Sequence, residues 1–168
     1  MRLSLPRRPP SPVASSPRVG PTGVVPLLRE LDIFADLPDE ELASLAEDLE
    51  LGTAHPGQTL ETQDEPVHRW SLIADGHAVI TRDSTPIGLL GRGDSWNEYS
   101  LLNQQRSSIG VVALSPVTLL TLDQRRFFAV PEHHPLLAGR LVARSATSAD
   151  RMAQPVFNAL IRLSRSSA

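Results

Sequence analysis

RWSLIADGHAVITRDSTPIGLLGRGD, residues 69–94, reads as a succession of short strands cut by turns. The runs RWSLIAD, HAVITR and IGLLG are rich in apolar and β-branched residues, and each is closed by Gly, Asp or Pro at ADGH, RDSTP or GRGD. The texture continues outward. Upstream lie the turn signals HPGQ and QDEP; downstream are SIGVVAL and VTLLTLD, separated by LSPV. Many short strands at regular spacing imply a sandwich or barrel-like roll across residues 50–122. On the N-terminal side, LPDEELASLAEDLEL places Leu42, Leu45, Ala46 and Leu49 at helical spacing. Pro38 suits a first-turn position, and Asp39, Glu40 and Glu41 sit where a helix N-terminus favours negative charge. Beyond Asp123 the helical pattern returns in QRRFFAV, then after Pro135 in LLAGRLVARSATSADRMAQ, before Pro155 interrupts it ahead of VFNALIRLS. The expected class is α+β, mainly β: a double-stranded β-helix, jelly-roll-like barrel flanked by N-terminal and C-terminal helices.

At 168 residues the chain suits one domain with overhanging ends. Apolar residues make up 40%, but with four Phe, two Trp and one Tyr the core must be mostly aliphatic. The net charge of −3 is unevenly spread: four arginines and no acid in residues 1–26, seven arginines against eighteen acids in 27–135, and five arginines against Asp150 alone in 136–168. An acidic body with sparse basic ends repels a nucleic-acid backbone, so no nucleic-acid partner is expected. Seven of the fifteen prolines fall in residues 1–26, and that segment reads as a disordered Pro/Arg-rich tail. No apolar run suits a signal peptide or a bilayer span, so a cytoplasmic chain with no membrane partner is expected.

Between the strands lies SWNEYSLLNQQRSSIGVV, residues 95–112, which sets Glu98 eight positions before Arg106, with Ser107 and Ser108 following at once. A guanidinium can fork two N–H donors onto an anion, and an ionised carboxylate is a pure acceptor. The same two residues can also simply pair with each other across a loop. Catalytic chemistry has no foothold: Gly-x-Ser-x-Gly, a phosphate loop ending in Gly-Lys, Cys and Lys are all absent. His55, His68 and His77 stand in separate segments and His133-His134 lies beside a proline, without His-x-His spacing, so neither an enzyme nor a metal site is expected and the histidines read as solvated or satisfied.

In order, these marks resemble the cyclic nucleotide-binding domain family. LRELDIFADLPDEELASLA is similar to its helical lead-in, HPGQTLETQDEP to its first hairpin, RWSLIADGHAVI to its strand–Gly–strand signature, and LLGRGDSWNEYSLL with RSSIGVVAL to its phosphate-binding cassette. The resemblance covers roughly residues 27–145, leaving 146–168 as a C-terminal helical extension without a DNA-binding domain. It implies a non-catalytic regulatory module whose ligand is cAMP or cGMP, with no other cofactor. Arg106, Ser107 and the free backbone N–H groups of a helical turn Glu98-Tyr99-Ser100-Leu101-Leu102 would hold the phosphate, Glu98 the ribose 2′-hydroxyl, and Asn97 would stand beside the sugar. It implies an unidentified output protein and allows a homodimer through the C-terminal helices. Two positions depart from the pattern: Asp64 and Asn97 stand where the family usually has glycine, although Asn and Asp best tolerate the left-handed bend. The alternative is accordingly a degenerate member of the fold, no longer binding nucleotide, that serves as a protein-interaction or dimerisation scaffold.

Overall fold

The computed structural model describes residues 14–15 and 21–146. Helix α1 (Pro21–Arg29) leads into α2 (Asp39–Asp48). Two antiparallel sheets follow. One runs β1 (Ala14–Ser15), β2 (Glu50–Ala54), β9 (Val117–Asp123), β4 (Arg69–Asp75), β7 (Ser95–Trp96), and the other runs β3 (Thr59–Glu61), β8 (Gly110–Ala113), β5 (Ala78–Arg82), β6 (Thr85–Leu90). A short helix α3 (Glu98–Leu102) lies between β7 and β8, and the chain closes with α4 (Gln124–His133) and α5 (Pro135–Ser145). The expected helix, β-roll, helices plan is the one observed.

The five-stranded sheet is buried on both faces, which is why RWSLIAD reads as a nearly continuous apolar run. Trp70, Leu72 and Ala74 of β4 face the helices, packing with Leu28, Phe34, Leu42, Leu45, Phe127, Leu137 and Leu141. Ile73 faces the roll interior, where it joins Ala78, Ile80, Leu90, Trp96, Ile109, Val111 and Leu119. Phe34 meets Trp70 edge-on at 6.5 Å between ring centroids, tying the lead-in helices to the sheet. The second sheet leaves its outer face to solvent, with Ile87 and Leu89 of edge strand β6 exposed.

The ordered chain begins before the boundary read at residue 27. Pro21 opens α1, Val24 is buried against the helical core, and Ala14–Ser15 pairs with Thr53–Gly52 of β2. Pro21 stands in the first turn, where proline is tolerated, while Pro26 lies inside the helix. The remainder of the tail, and residues 147–168 of the helical extension expected over 146–168, lie outside the described residues.

Candidate functional site

The expected cassette is built from β7 outward. Trp96 is fully buried in the roll and anchors the strand end. Asn97 then takes φ 79°, ψ 0°, a left-handed bend that turns the chain into α3. Asp64, the other departure from glycine, also has positive φ, at 66°. Both bends therefore survive without glycine.

Helix α3 ends in a Schellman arrangement: Gln104 N–H donates to Leu101 O at 3.1 Å and Gln105 N–H to Ser100 O at 2.8 Å. Gln104 carries the positive φ (52°) that glycine usually supplies there. Relieving that strain outweighs the extra unfolded-state freedom of glycine, so Gln104→Gly is expected to stabilise the fold by about 0.5 kcal/mol. Chemical denaturation checks this; a lower midpoint would contradict the strain assignment.

Beyond the turn, the chain is stitched to residues 64–66. Asp64 N–H donates to Ser107 O at 2.8 Å, Ser107 N–H donates to Glu65 O at 3.0 Å, and Pro66 bridges Arg106. Ser107 is buried, with its hydroxyl donating to Ile109 O at 3.0 Å. Arg106 is exposed, and its Nη1 donates to the backbone carbonyl of Asp64 at 2.8 Å.

Glu98 is turned into the core. It is fully buried, and its Oε1 accepts from Trp70 Nε1 at 2.8 Å and from the Ser95 hydroxyl. Its Oε2 is buried without a partner. Burial pushes the carboxyl above the usual range, against the lowering influence of Ser95, Trp70 and the more distant Arg144. Arg144 reaches this network from α5, donating to Gly93 O at 2.7 Å and to Ser95 Oγ at 3.2 Å.

A second, half-buried acid borders the bend. Glu61 Oε2 accepts from Asn97 Nδ2 at 2.8 Å and from Trp96 Nε1 at 3.3 Å. Asn97 Nδ2 also donates to Arg69 O at 3.0 Å, so two acceptors fix the orientation of the amide, while Asn97 Oδ1 stays buried and unpartnered. Desolvation raises Glu61 as well, opposed chiefly by its Asn97 hydrogen bond.

The six expected site residues are contiguous in the fold but do not all face one space. Ser100 and Arg106 line a common cleft of about 280 Å³ with Pro66, Val67, His68, Leu101, Gln104, Gln105 and Gln124. Asn97 and Glu98 point inward, Tyr99 is half-buried, and Ser107 is engaged by backbone. The simple Glu98–Arg106 ion pair does not form: the acid is held by Trp70 and Ser95, the guanidinium by a carbonyl. A second cleft, about 340 Å³, lies along Thr59, Glu61, Asp64, Thr81, Asp83 and Gly110, and is acidic.

Residues 52–134 match the family model for the cyclic nucleotide-binding domain. This stretch holds every strand of the roll except β1 and the first residues of β2, together with the whole cassette. It is a cyclic nucleotide-binding domain. The chain is 32% identical over 111 residues to the cGMP-dependent protein kinase isozyme 1 of Drosophila melanogaster, covering 61% of this chain and 14% of the kinase. It is 27% identical over 100 residues to the cAMP-dependent protein kinase regulatory subunit of Hypocrea atroviridis, covering 60% of this chain and 22% of the subunit. Among solved structures, the regulatory subunit of a cAMP-independent protein kinase A from Trypanosoma brucei shares the fold with TM-score 0.67 at 18% identity, over 79% of this chain and 47% of that one. The chain thus spans only 14% and 22% of the length of these two curated relatives.

Within this cyclic nucleotide-binding domain, sequence reasoning passes over Glu61, Trp70, Ser95 and Gln124. Trp70 and Ser95 carry the one available signal, since an indole N–H and a hydroxyl in core strands need acceptors. His68 reads from sequence as a solvated or satisfied histidine; it is exposed, in the cleft with Arg106. Among the described residues no group of three or more His, Cys, Asp or Glu is placed to hold a metal ion, and no helix is long and apolar enough to cross a membrane.

Proposed function

We propose that this cyclic nucleotide-binding domain is a cytoplasmic, non-catalytic regulatory module that binds cAMP or cGMP and acts on a separate partner protein. The observation that carries the reading is Arg106: it has no acid partner among the described residues, is held by a backbone carbonyl, and stands at an open cleft beside Ser100. A guanidinium anchored in that way keeps N–H donors for a ligand phosphate. Glu98 would meet the ribose through Oε2, whose unmet hydrogen-bonding capacity a hydroxyl donor satisfies. Ligand seated against α3 bears on α5, which reaches the same network through Arg144, so the helices are the element whose population shifts. Exposed Leu136 and Val142 on α5 support a homodimer seam.

A second reading is favoured by the inward groups. Glu98 is enclosed by Trp70 and Ser95, and Glu61 binds Asn97 at the bend, an arrangement that suits a scaffold that has lost its ligand. Calorimetry of the purified chain with cAMP and cGMP separates the two. Saturable one-site binding of either nucleotide is the expected result; no heat with either leaves the scaffold reading.

A further inference from the structure

We propose that the outer face of the four-stranded sheet is a docking surface for this chain's own basic N-terminal segment, residues 1–13. The inference goes beyond the nucleotide reading and does not depend on it. Strand alternation decides which side chains form the face. Ala78, Ile80, Val111 and Ala113 are buried in the roll, so Val79, Thr81 and Val112 point outward. Leu89 of β6 lies opposite Val79, and Val79 opposite Val112, so an apolar row crosses three adjacent strands. Leu89 is 73% exposed, and Leu114, just past β8, is 53% exposed. The outer face of an antiparallel sheet is ordinarily polar, and a contiguous apolar row on it marks a surface that something covers.

Negative charge stands beside the row. The acidic cleft of about 340 Å³ has Val112 and Thr81 in its wall together with Asp64 and Asp83, and no basic residue lines it. Gln63 Nε2 donates to Asp83 Oδ1 at 2.9 Å, a contact that brings no opposing charge. An occupant that fits both features is apolar and cationic. Residues 1–13, MRLSLPRRPPSPV, supply Met1, Leu3 and Leu5 at alternate positions and Arg2, Arg7 and Arg8, with no acid. A second copy of the body fits worse, because residues 27–135 carry eighteen acids against seven arginines and two such bodies repel.

The chain also arrives in the right place. β1 pairs antiparallel to β2, with Ala14 opposite Thr53 and Ser15 opposite Gly52, so the segment before Ala14 enters from the Ala54 end of β2. Ala54 leads into the turn at His55–Gln58, which is stitched to β8. Gly57 N–H donates to Ala113 O at 2.7 Å, and Ala113 N–H to Gln58 O at 2.9 Å, which sets the turn next to Leu114. Residues 1–13 extend to about 40 Å, against about 15 Å from β3 across to β6, so the segment can reach the whole row. Its four prolines lack N–H groups and cannot extend a ladder, which directs it to a face of the sheet and not to an edge. The β6 edge is itself guarded by Pro86 and by the register shift between Ile80 and Thr81.

The chain has no cysteine, so one nitroxide spin label can be placed at a chosen position. The test uses the full chain labelled through Ser4→Cys, with backbone amide signals read by NMR. Those of Val79, Leu89 and Val112 are expected to lose most of their intensity, while those of Leu137 and Leu141 in α5 keep theirs. Leu89→Ser, or Asp64→Asn combined with Asp83→Asn, should restore the lost intensity. Leu89 is exposed, and asparagine tolerates the φ of 66° and 49° at the two acids, so these variants keep the fold, which their unlabelled spectra check. Loss that persists in both variants overturns the inference. So does loss caused by a label at Ser164→Cys but not at Ser4→Cys, which assigns the face to the C-terminal segment. The same loss in isotope-enriched unlabelled chain mixed with spin-labelled chain assigns the face to a second copy, and the inference fails. It fails equally if neither label affects the face.

Discussion

Gly76→Ala is expected to leave the chain unable to complete its roll. Gly76 sits at the β4–β5 turn with φ 95°, and a Cβ built there lies 2.2 Å from the carbonyl oxygen of Pro116 and 3.0 Å from Ser115 Oγ. The close neighbour is backbone at the start of β9, the strand that pairs with both β2 and β4, so it has no side-chain rotamer by which to retreat. A non-glycine residue at such a φ alone costs about 1–3 kcal/mol. The steric displacement adds to it, and a total of about 4 kcal/mol consumes much of the stability of a domain this size. Gly57, which also has positive φ but open space around the built Cβ, is the control: Gly57→Ala should cost only about 1 kcal/mol. Soluble yield and denaturation midpoints of the two variants give the comparison, and equal losses would show that the Pro116 contact is unimportant.

The second large effect lies at Glu98. Truncation by Glu98→Ala leaves the Trp70 indole N–H and the Ser95 hydroxyl buried without their acceptor and opens a cavity, for a loss of about 3 kcal/mol. Glu98→Gln keeps the acceptor and removes the ionisable group, so it should behave in the opposite way. Desolvation holds the Glu98 carboxyl above its ordinary value, and Glu61 shifts in the same direction. A carboxyl raised on folding contributes stability that is fully present below the unfolded value near 4.3 and is lost as pH rises through the folded value. The native chain should therefore weaken as pH is raised from acid to alkaline, while Glu98→Gln loses less and is the more stable protein at pH 9. Urea denaturation across that pH range tests the sign; a variant less stable than the native chain at pH 9 would mean that the ionised carboxylate is the form the fold favours.

Much of the architecture was legible because its signals are local. Turn glycines and aspartates mark most strand ends, and positive φ at Gly57, Gly76, Gly93, Asp64 and Asn97 follows from residue types that tolerate it. The lead-in helix was readable from the spacing of Leu42, Leu45 and Ala46, all buried. The N-terminal boundary was not, because proline content argued for a disordered chain where the burial of Val24 and Leu28 carries a helix with Pro26 inside it. The direction of Glu98 was hidden for a different reason. It is decided by Trp70, 28 residues away in sequence, and by which face of β4 that indole occupies. The partner of Arg106 is a backbone carbonyl, a group that every residue carries and no sequence distinguishes. His68 gained its place beside Arg106 only through the folding of residues 64–68 against the end of the cassette.

The most direct test of the account is calorimetric titration of Arg106→Ala beside the native chain with whichever of cAMP and cGMP the native chain binds. Because the side chain is exposed and bonded only to a carbonyl, the variant should keep the native thermal midpoint. Its affinity should fall at least about 30-fold, equivalent to roughly 2 kcal/mol of lost charge-assisted hydrogen bonding. A folded Arg106→Ala protein that binds nucleotide as tightly as the native chain would contradict the assignment of the phosphate to this guanidinium.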